Sequence, residues 1–256
     1  MSRRALLAGL GGLALIGPAA AAAPGLELRQ LEHQGDRWRV VIAQLGHPQG
    51  PLRLRLVGQA PGAPRPLTLD RADAALRAAG LRPLVLTNAG MFHEGGAPVG
   101  LHVEDGVEYA PLRRGGGAGN FFLLPNGVLS VGPKGPRIDD AEGFSAPSST
   151  LSVATQSGPL LVHRGAVHPK LIPGSSNRAL RSAAGVRADG ALVFAISDGP
   201  VRFFDTATLL RDGLGCPDAL YLDGTISGLR GEAWPNERGH PRGYGGVLAL
   251  TPADGA

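Results

Sequence analysis

Apolar runs in this chain are short, and many stop at glycine: "VLTNAG", "VLSVG", "FAISDG" and "LYLDG" each leave a strand-like run for a glycine within a few residues. Forty glycines and 22 prolines require many tight turns. At that level, glycine and proline without apolar periodicity would signal low-complexity disorder. Here nearly every glycine-rich piece leads into another strand-like run, so an ordered chain rich in short strands is expected. No tandem repeat at solenoid or propeller period is present.

The runs themselves give the elements. "LELRQLEH", "RWRVVIAQL" and "PLRLRLVG" alternate apolar and polar residues, which predicts half-buried antiparallel strands between Gly25 and Gly58. "LTLDRADAALRAAG" predicts a helix with Thr68 or Asp70 as N-cap and Gly80 as its stop. A strand from Pro83 follows. "NFFLLPNGVLSVG" and "SAAGVRADGALVFAISDG" each read as two runs split at Asn126-Gly127 and Asp189-Gly190, dipeptides that suit hairpin turns. "FFDTATLLRDGLG" predicts a short helix capped by Asp205, and "DALYLDGTISGLR" and "YGGVLALTP" close the chain as strands. Strand runs with two clear helices predict an α+β (mixed α/β) single domain, mainly antiparallel or mixed sheet with a surface cleft at strand ends.

The first 23 residues read as an export signal. Arg3 and Arg4 precede an uncharged stretch of roughly 12 residues, short of the about 20 that a bilayer-crossing helix needs, and alanines follow as small-x-small cleavage sites. Paired arginines occupy this place in twin-arginine signals. The expected domain is therefore 24–256, periplasmic or secreted, with no stable membrane insertion once the signal is removed. Loss of Arg3 and Arg4 takes the formal charge from +4 to +2, so a nucleic-acid-seeking surface is not indicated. The single cysteine, Cys216, forbids an internal disulfide and a Cys-based metal site, and reads as a small buried thiol.

Neither G-x-S-x-G, H-E-x-x-H nor a Walker loop is present. "RRGGGAGN", from Arg113 to Asn120, leads into a strand-like run and lacks dinucleotide-fingerprint spacing; it reads as a loop that could cover a site, with Asn120 counted among the substrate-binding candidates. His163 and His168 have no carboxylate at ligand spacing, which argues against zinc. More informative is a recurrence: strands stop in polar residues beside glycine at Asn88, at Gln156 and Ser157, and at Asp223, Thr225 and Ser227. Asn177, Arg178, Arg181 and Ser182 stand just before another strand. Such ends, converging over a sheet, would build a pocket whose glycines let a ligand approach the backbone.

Taken together, "TNAGMF", "PVGLHVEDG", "GNFFLLPNG", "ATQSGPLLV", "RSAAGV", "FAISDGPVRFFDTATLLRD" and "LGCPDALYLDGTIS" resemble the phosphodiester glycosidase family in order and spacing, over roughly Thr87 to Val247. Many relatives carry Asp-Gly-Gly with Gly or Ser in the last motif; here Thr225 and Ile226 replace the glycine-rich pair, a variant associated with an exported bacterial branch. The resemblance implies hydrolysis of a sugar-1-phosphodiester or phosphoglycan between the anomeric carbon and the phosphate oxygen. A phosphomonoester, with a second pKa of about 6, leaves more easily than an alkoxide, so one carboxylate plus an anion clamp could suffice. Asp223 is the expected carboxylate and Arg181 the clamp, with Arg178 second choice, because guanidinium matches phosphate bidentately. Asn88 would orient substrate or a catalytic group. Gln156, Ser157, Ser182, Thr225 and Ser227 would contact sugar or phosphate, Gly90, Gly158 and Gly224 would permit close approach, and Asp198 is a second acid candidate. No cofactor is expected; no loop has calcium-binding spacing, although the carboxylates leave a divalent cation open. Oligomeric state is not legible. The rival readings are a non-catalytic envelope glycan-binding module, which would want an exposed aromatic platform, and a structural matrix or export-associated protein without a pocket.

Overall fold

The computed structural model describes residues 13–16, 20–46, 50–237 and 239–253. It is an α+β domain of three antiparallel sheets with helices at the flanks. Most of the segment read as an export signal lies outside the described residues. What is described of it, Ala14–Leu15 and Ala20–Ala23, pairs antiparallel with the strand Leu26–His33.

Alternation does what the sequence predicts. Leu26–His33 pairs in full register with Asp36–Ala43, with Leu26, Leu28 and Leu31 buried, and Leu52–Val57 buries every second residue. The third strand, however, leaves the first two: it joins Val247–Pro252 in a four-stranded sheet with Val85–Asn88 and Leu229–Gly231. The largest sheet continues from Asp36–Ala43 through Leu192–Ser197, Ser182–Val186 and Asp218–Asp223 to Leu160–His163 and Ala166–Val167. A five-stranded sheet runs Gly135–Asp140, Gly127–Gly132, Val153–Ser157, His102–Glu104, Val107–Ala110.

One face of the large sheet packs on both smaller sheets. Leu28, Val41, Phe194, Leu220 and Leu222 meet Leu54, Leu56, Val85 and Leu248 from one and Leu129, Ile138 and Val153 from the other. Its other face, with Trp38, Val40, Val193 and Tyr221, is covered by Ala207, Leu209, Leu210 and the buried Cys216. Burial pushes the Cys216 thiol up to about 12, so it stays protonated at neutral pH. The helix Leu69–Ala78 lays Leu69, Ala72 and Leu76 on the back of the four-stranded sheet; Thr68 is its N-cap, accepting the Arg71 N–H.

Two local expectations are corrected. Asn120–Phe122 forms a 3₁₀ turn rather than a strand, and the hairpin bends between Gly132 and Gly135, not at Asn126-Gly127. Asn126 is instead buried, its Nδ2 donating to the Phe121 carbonyl at 3.1 Å, which gives the Asn a structural task inside the fold. The second helix, Phe203–Thr208, is preceded by Arg202; Asp205 sits within its first turn, paired with Arg202 at 3.2 Å, and a π-type turn Leu209–Gly213 extends it.

Candidate active site

Asp223 is the last residue of a central strand of the large sheet, and Asn88 the last of a strand in the four-stranded sheet. The register between Asp218–Asp223 and Ser182–Val186 slips here: Ser182 faces Asp223 but Ala183 faces Tyr221. Such a bulge ends pairing and re-aims side chains. Leu222, skipped by the register, gives its carbonyl to Ser157 Oγ at 2.9 Å.

Ser182 ties the two sheets together. Its Oγ accepts from Asn88 Nδ2 at 2.9 Å and from the Asp223 N–H at 3.2 Å, while Asn88 Oδ1 accepts the Gly228 N–H at 3.2 Å. Ser227 Oγ stands 3.0 Å from Ser182 Oγ and donates to the Gly224 carbonyl at 2.6 Å. Asn88, Ser182 and Ser227 thus fix both ends of the turn 223–228. This holds the carboxylate without lining a cavity themselves.

Beyond Asp223 opens a cleft of ≈ 680 Å³, of the size that takes small ligands. Asn120 lines it together with Ala118 and Gly119 from the glycine-rich loop, His93 and Glu94 from the segment after strand Val85–Asn88, and Arg242 from the loop before the last strand. Burial raises the Asp223 carboxyl to about 6, offset in part by the Gly224 N–H donating to Oδ1 at 2.6 Å. Among the described residues the Arg242 side chain has no hydrogen-bond or ion-pair partner, only its backbone N–H being engaged, by His240 Nδ1 at 3.2 Å. The cleft therefore holds a free guanidinium and a carboxyl group poised near neutrality.

The remaining expected residues are placed elsewhere. Arg181 is 1% exposed; Nε donates to the Val201 carbonyl and Nη2 to Asn177 Oδ1, both at 3.0 Å, and its guanidinium stacks 3.4 Å from the Phe203 ring centre. As placed it cannot reach a ligand in the cleft. It lies instead beneath it, against Tyr221, whose hydroxyl stands between the Arg181 guanidinium and the Asn120 side chain. Desolvation lowers the Arg181 pKa, and burial raises that of Tyr221 so that the phenol stays protonated. Arg178 pairs with Asp36 at 2.6 Å and Asp198 with Arg39 at 3.0 Å, both away from the cleft. Gln156 is buried. Its Oε1 accepts the Leu101 and Arg113 N–H groups and its Nε2 donates to the Arg113 carbonyl, which anchors the start of the glycine-rich loop.

The glycines allow backbone to approach protein, not ligand. A Cβ at Gly158 would stand 2.5 Å from the Phe121 carbonyl oxygen, one at Gly224 2.6 Å from Tyr221 Oη, and one at Gly90 would collide with the Gln156 carbonyl oxygen. Thr225 is exposed on the turn beside Ile226, which does line the cleft. Sequence reasoning missed Arg242, Tyr221 and the clefted placement of His93 and Glu94. The signal for Arg242 lay in "NERGHPRGYGG", a glycine-rich loop carrying both charges ahead of a strand.

Comparison with known proteins bears on the family and the fold. Residues 83–230 match the phosphodiester glycosidase family. The uncharacterised Escherichia coli (strain K12) protein YigE is 35% identical over 153 residues, 59% of this chain; the match spans only 60% of that relative's length. Among solved structures, the catalytic domain of zebrafish N-acetylglucosamine-1-phosphodiester alpha-N-acetylglucosaminidase, auto-inhibited by its pro-peptide, superposes with TM-score 0.62 at 15% identity, over 93% of this chain and 87% of that one. A hypothetical protein from Synechocystis superposes with TM-score 0.59 at 17% identity, over 93% of this chain and 64% of its own. At these identities the structural likenesses speak for the fold; with the sequence match over more than half of its length, the chain belongs to the phosphodiester glycosidase family.

Proposed function

We propose that this protein hydrolyses a sugar-1-phosphodiester at the bond between the anomeric carbon and the phosphate oxygen, releasing free sugar and a phosphomonoester. The observation that carries the reading is the opening of Asp223, raised to about 6, and of the unpartnered Arg242 guanidinium into one cleft. With the anomeric carbon over Asp223, the ionised carboxylate takes a proton from water as its oxygen bonds to that carbon and the C1–O bond breaks. The bonding electrons leave with the phosphate. Arg242 holds the phosphate oxygens and offsets the charge that builds there, so no strong acid is needed on the leaving side. Asn120 donates to or accepts from the sugar. Arg242 takes the clamping part that the sequence suggested for Arg181.

The first 23 residues, which read as an export signal, support an activity in the periplasm or outside the cell, on envelope or extracellular glycans. Among the described residues no helix is long and apolar enough to cross a membrane. The experiment is incubation of the purified chain with a sugar-1-phosphodiester in ¹⁸O-labelled water. An unlabelled phosphomonoester supports C1–O cleavage; label in the phosphate, or no turnover of any such diester, refutes it.

A further inference from the structure

The cleft is not uniformly polar. Asp223 and Asn120 bring hydrogen-bonding groups to it, but Pro66, Phe92 and Ile226, packed beside the loop that carries Arg242, bring apolar surface to the same cleft. These side chains are not loosely exposed. Phe92 and Ile226 pack their inner sides on the cluster of Leu67, Leu69 and Tyr244, and Leu67 and Tyr244 exchange backbone hydrogen bonds at 2.8 and 2.9 Å. Gly243, next to Arg242, runs so close to Pro66–Leu67 that a Cβ there would lie 2.9 Å from the Leu67 carbonyl carbon, and a Cβ at Gly245 would collide with Phe92. The cation is thus bracketed by apolar groups fixed against the backbone that bears it. Phe122 adds a further apolar ring to the cleft, with the Arg113 guanidinium 5.2 Å from its centre.

Resting on the reaction above, the direction of the substrate follows. The anomeric carbon lies at Asp223 and the phosphate at Arg242, so the group esterified to the far side of the phosphate continues along Pro66, Phe92 and Ile226. None of these side chains can hydrogen-bond a hydroxyl. A second sugar or a polyol there would lose water contacts without replacement, whereas an apolar chain would cover surface that is otherwise wet. His93 and Glu94, the other polar residues of this cleft, are exposed and can contact whatever emerges. We propose that the natural substrate is a sugar-1-phosphodiester with an apolar, alkyl-type aglycone, a glycosyl phospholipid in chemical class, and that Phe92 and Ile226 set this preference.

The test uses the full chain and three diesters of one sugar-1-phosphate, with octyl, ethyl and glyceryl aglycones, below any micelle-forming concentration. The octyl diester should show kcat/KM about tenfold or more above the other two, the order expected when an apolar pocket discriminates chain length. Phe92→Ser and Ile226→Ser should each pull the octyl-to-glyceryl ratio toward one. That ratio is measured within one sample and does not depend on how much of a variant is folded. Equal or faster cleavage of the glyceryl diester overturns the inference while leaving the reaction standing, as does an octyl preference that neither substitution changes. No cleavage of any of the three overturns the reaction and the inference together.

Discussion

Asp223→Asn separates function from stability because the site holds its carboxyl at about 6 by burying it. Asn keeps the shape and an oxygen to accept the Gly224 N–H, now at 2.6 Å, but carries no charge. A rise from 3.8 to about 6 corresponds, at 1.36 kcal/mol per pH unit, to about 3 kcal/mol by which the folded state disfavours the ionised form. Solvent reaches this carboxyl from the cleft, so a realistic figure is about 1–2 kcal/mol. The sign follows from the raised value. The Asp223 contribution is fully present below pH 3.8 and is lost as pH rises through about 6, whereas the variant, lacking the titration, has none to lose. At pH 8 Asp223→Asn should therefore melt about 2–8 °C higher than wild type, taking about 2–4 °C per kcal/mol for a domain of this size, and at pH 3.5 the two should nearly coincide. Turnover should fall by about 10² or more, and wild-type kcat/KM should rise with pH through about 6 as the carboxylate ionises. Calorimetry and initial rates on the same preparations measure both. A variant less stable than wild type at pH 8, or one that retains turnover, would refute the assignment of Asp223 as a strained catalytic carboxylate.

Other substitutions probe the surrounding groups. Arg242→Lys keeps the charge but loses the bidentate fork, so kcat/KM on a sugar phosphodiester should drop about 10-fold or more, while any activity on a neutral aryl glycoside stays level in parallel assays. Arg181→Lys should instead lower stability by about 2–4 kcal/mol in urea titration, since it strips bonds to Val201 and Asn177 from a buried cation, and should affect both substrates alike. Ser182→Ala takes one of two acceptors from Asn88 Nδ2, which keeps the Ala89 carbonyl at 3.0 Å, and removes the hydroxyl that accepts the Asp223 N–H, predicting a loss of about 1–3 kcal/mol together with reduced kcat. Gly224→Ala drives a methyl toward Tyr221 Oη, and should cost activity more than Gly199→Ala, where nothing lies within 4 Å of the added carbon.

Period-two alternation located the strands around Leu26–His33, Asp36–Ala43 and Leu52–Val57, because each buries one face, but it carries no information on partners; only contact with Val247–Pro252 moves the third into another sheet. The Asp189-Gly190 turn was legible because Gly190 takes φ +82° between paired strands. Asn126-Gly127 misled for a tertiary reason: Asn126 spends its amide on Phe121 and Gln156 rather than on its own turn. The polar strand ends likewise do converge, as Asn88, Ser182, Asp223 and Ser227 demonstrate. What sequence could not tell is which side of the sheet each side chain takes at the bulge, and that decides whether Arg181 meets a ligand or Phe203.

That bulge also explains how labour divides in the site. Residues on strands are fixed by the ladder and can hold a group to a few tenths of an ångström, so Ser182, Asn88 and Ser157 serve to position Asp223 and the backbone around it. Residues that line the cleft, Asn120, His93, Ile226 and Arg242, come from the connecting segments. Between the two layers lies Tyr221, its hydroxyl under Gly224 and between Arg181 and Asn120. A buried arginine is a costly way to hold a tyrosine, and a packed apolar group would serve stability as well. Its use here makes sense if the charge polarises the Tyr221 hydroxyl, which in turn orients Asn120 at the cleft, so that a change at Arg181 reaches the cleft without lining it.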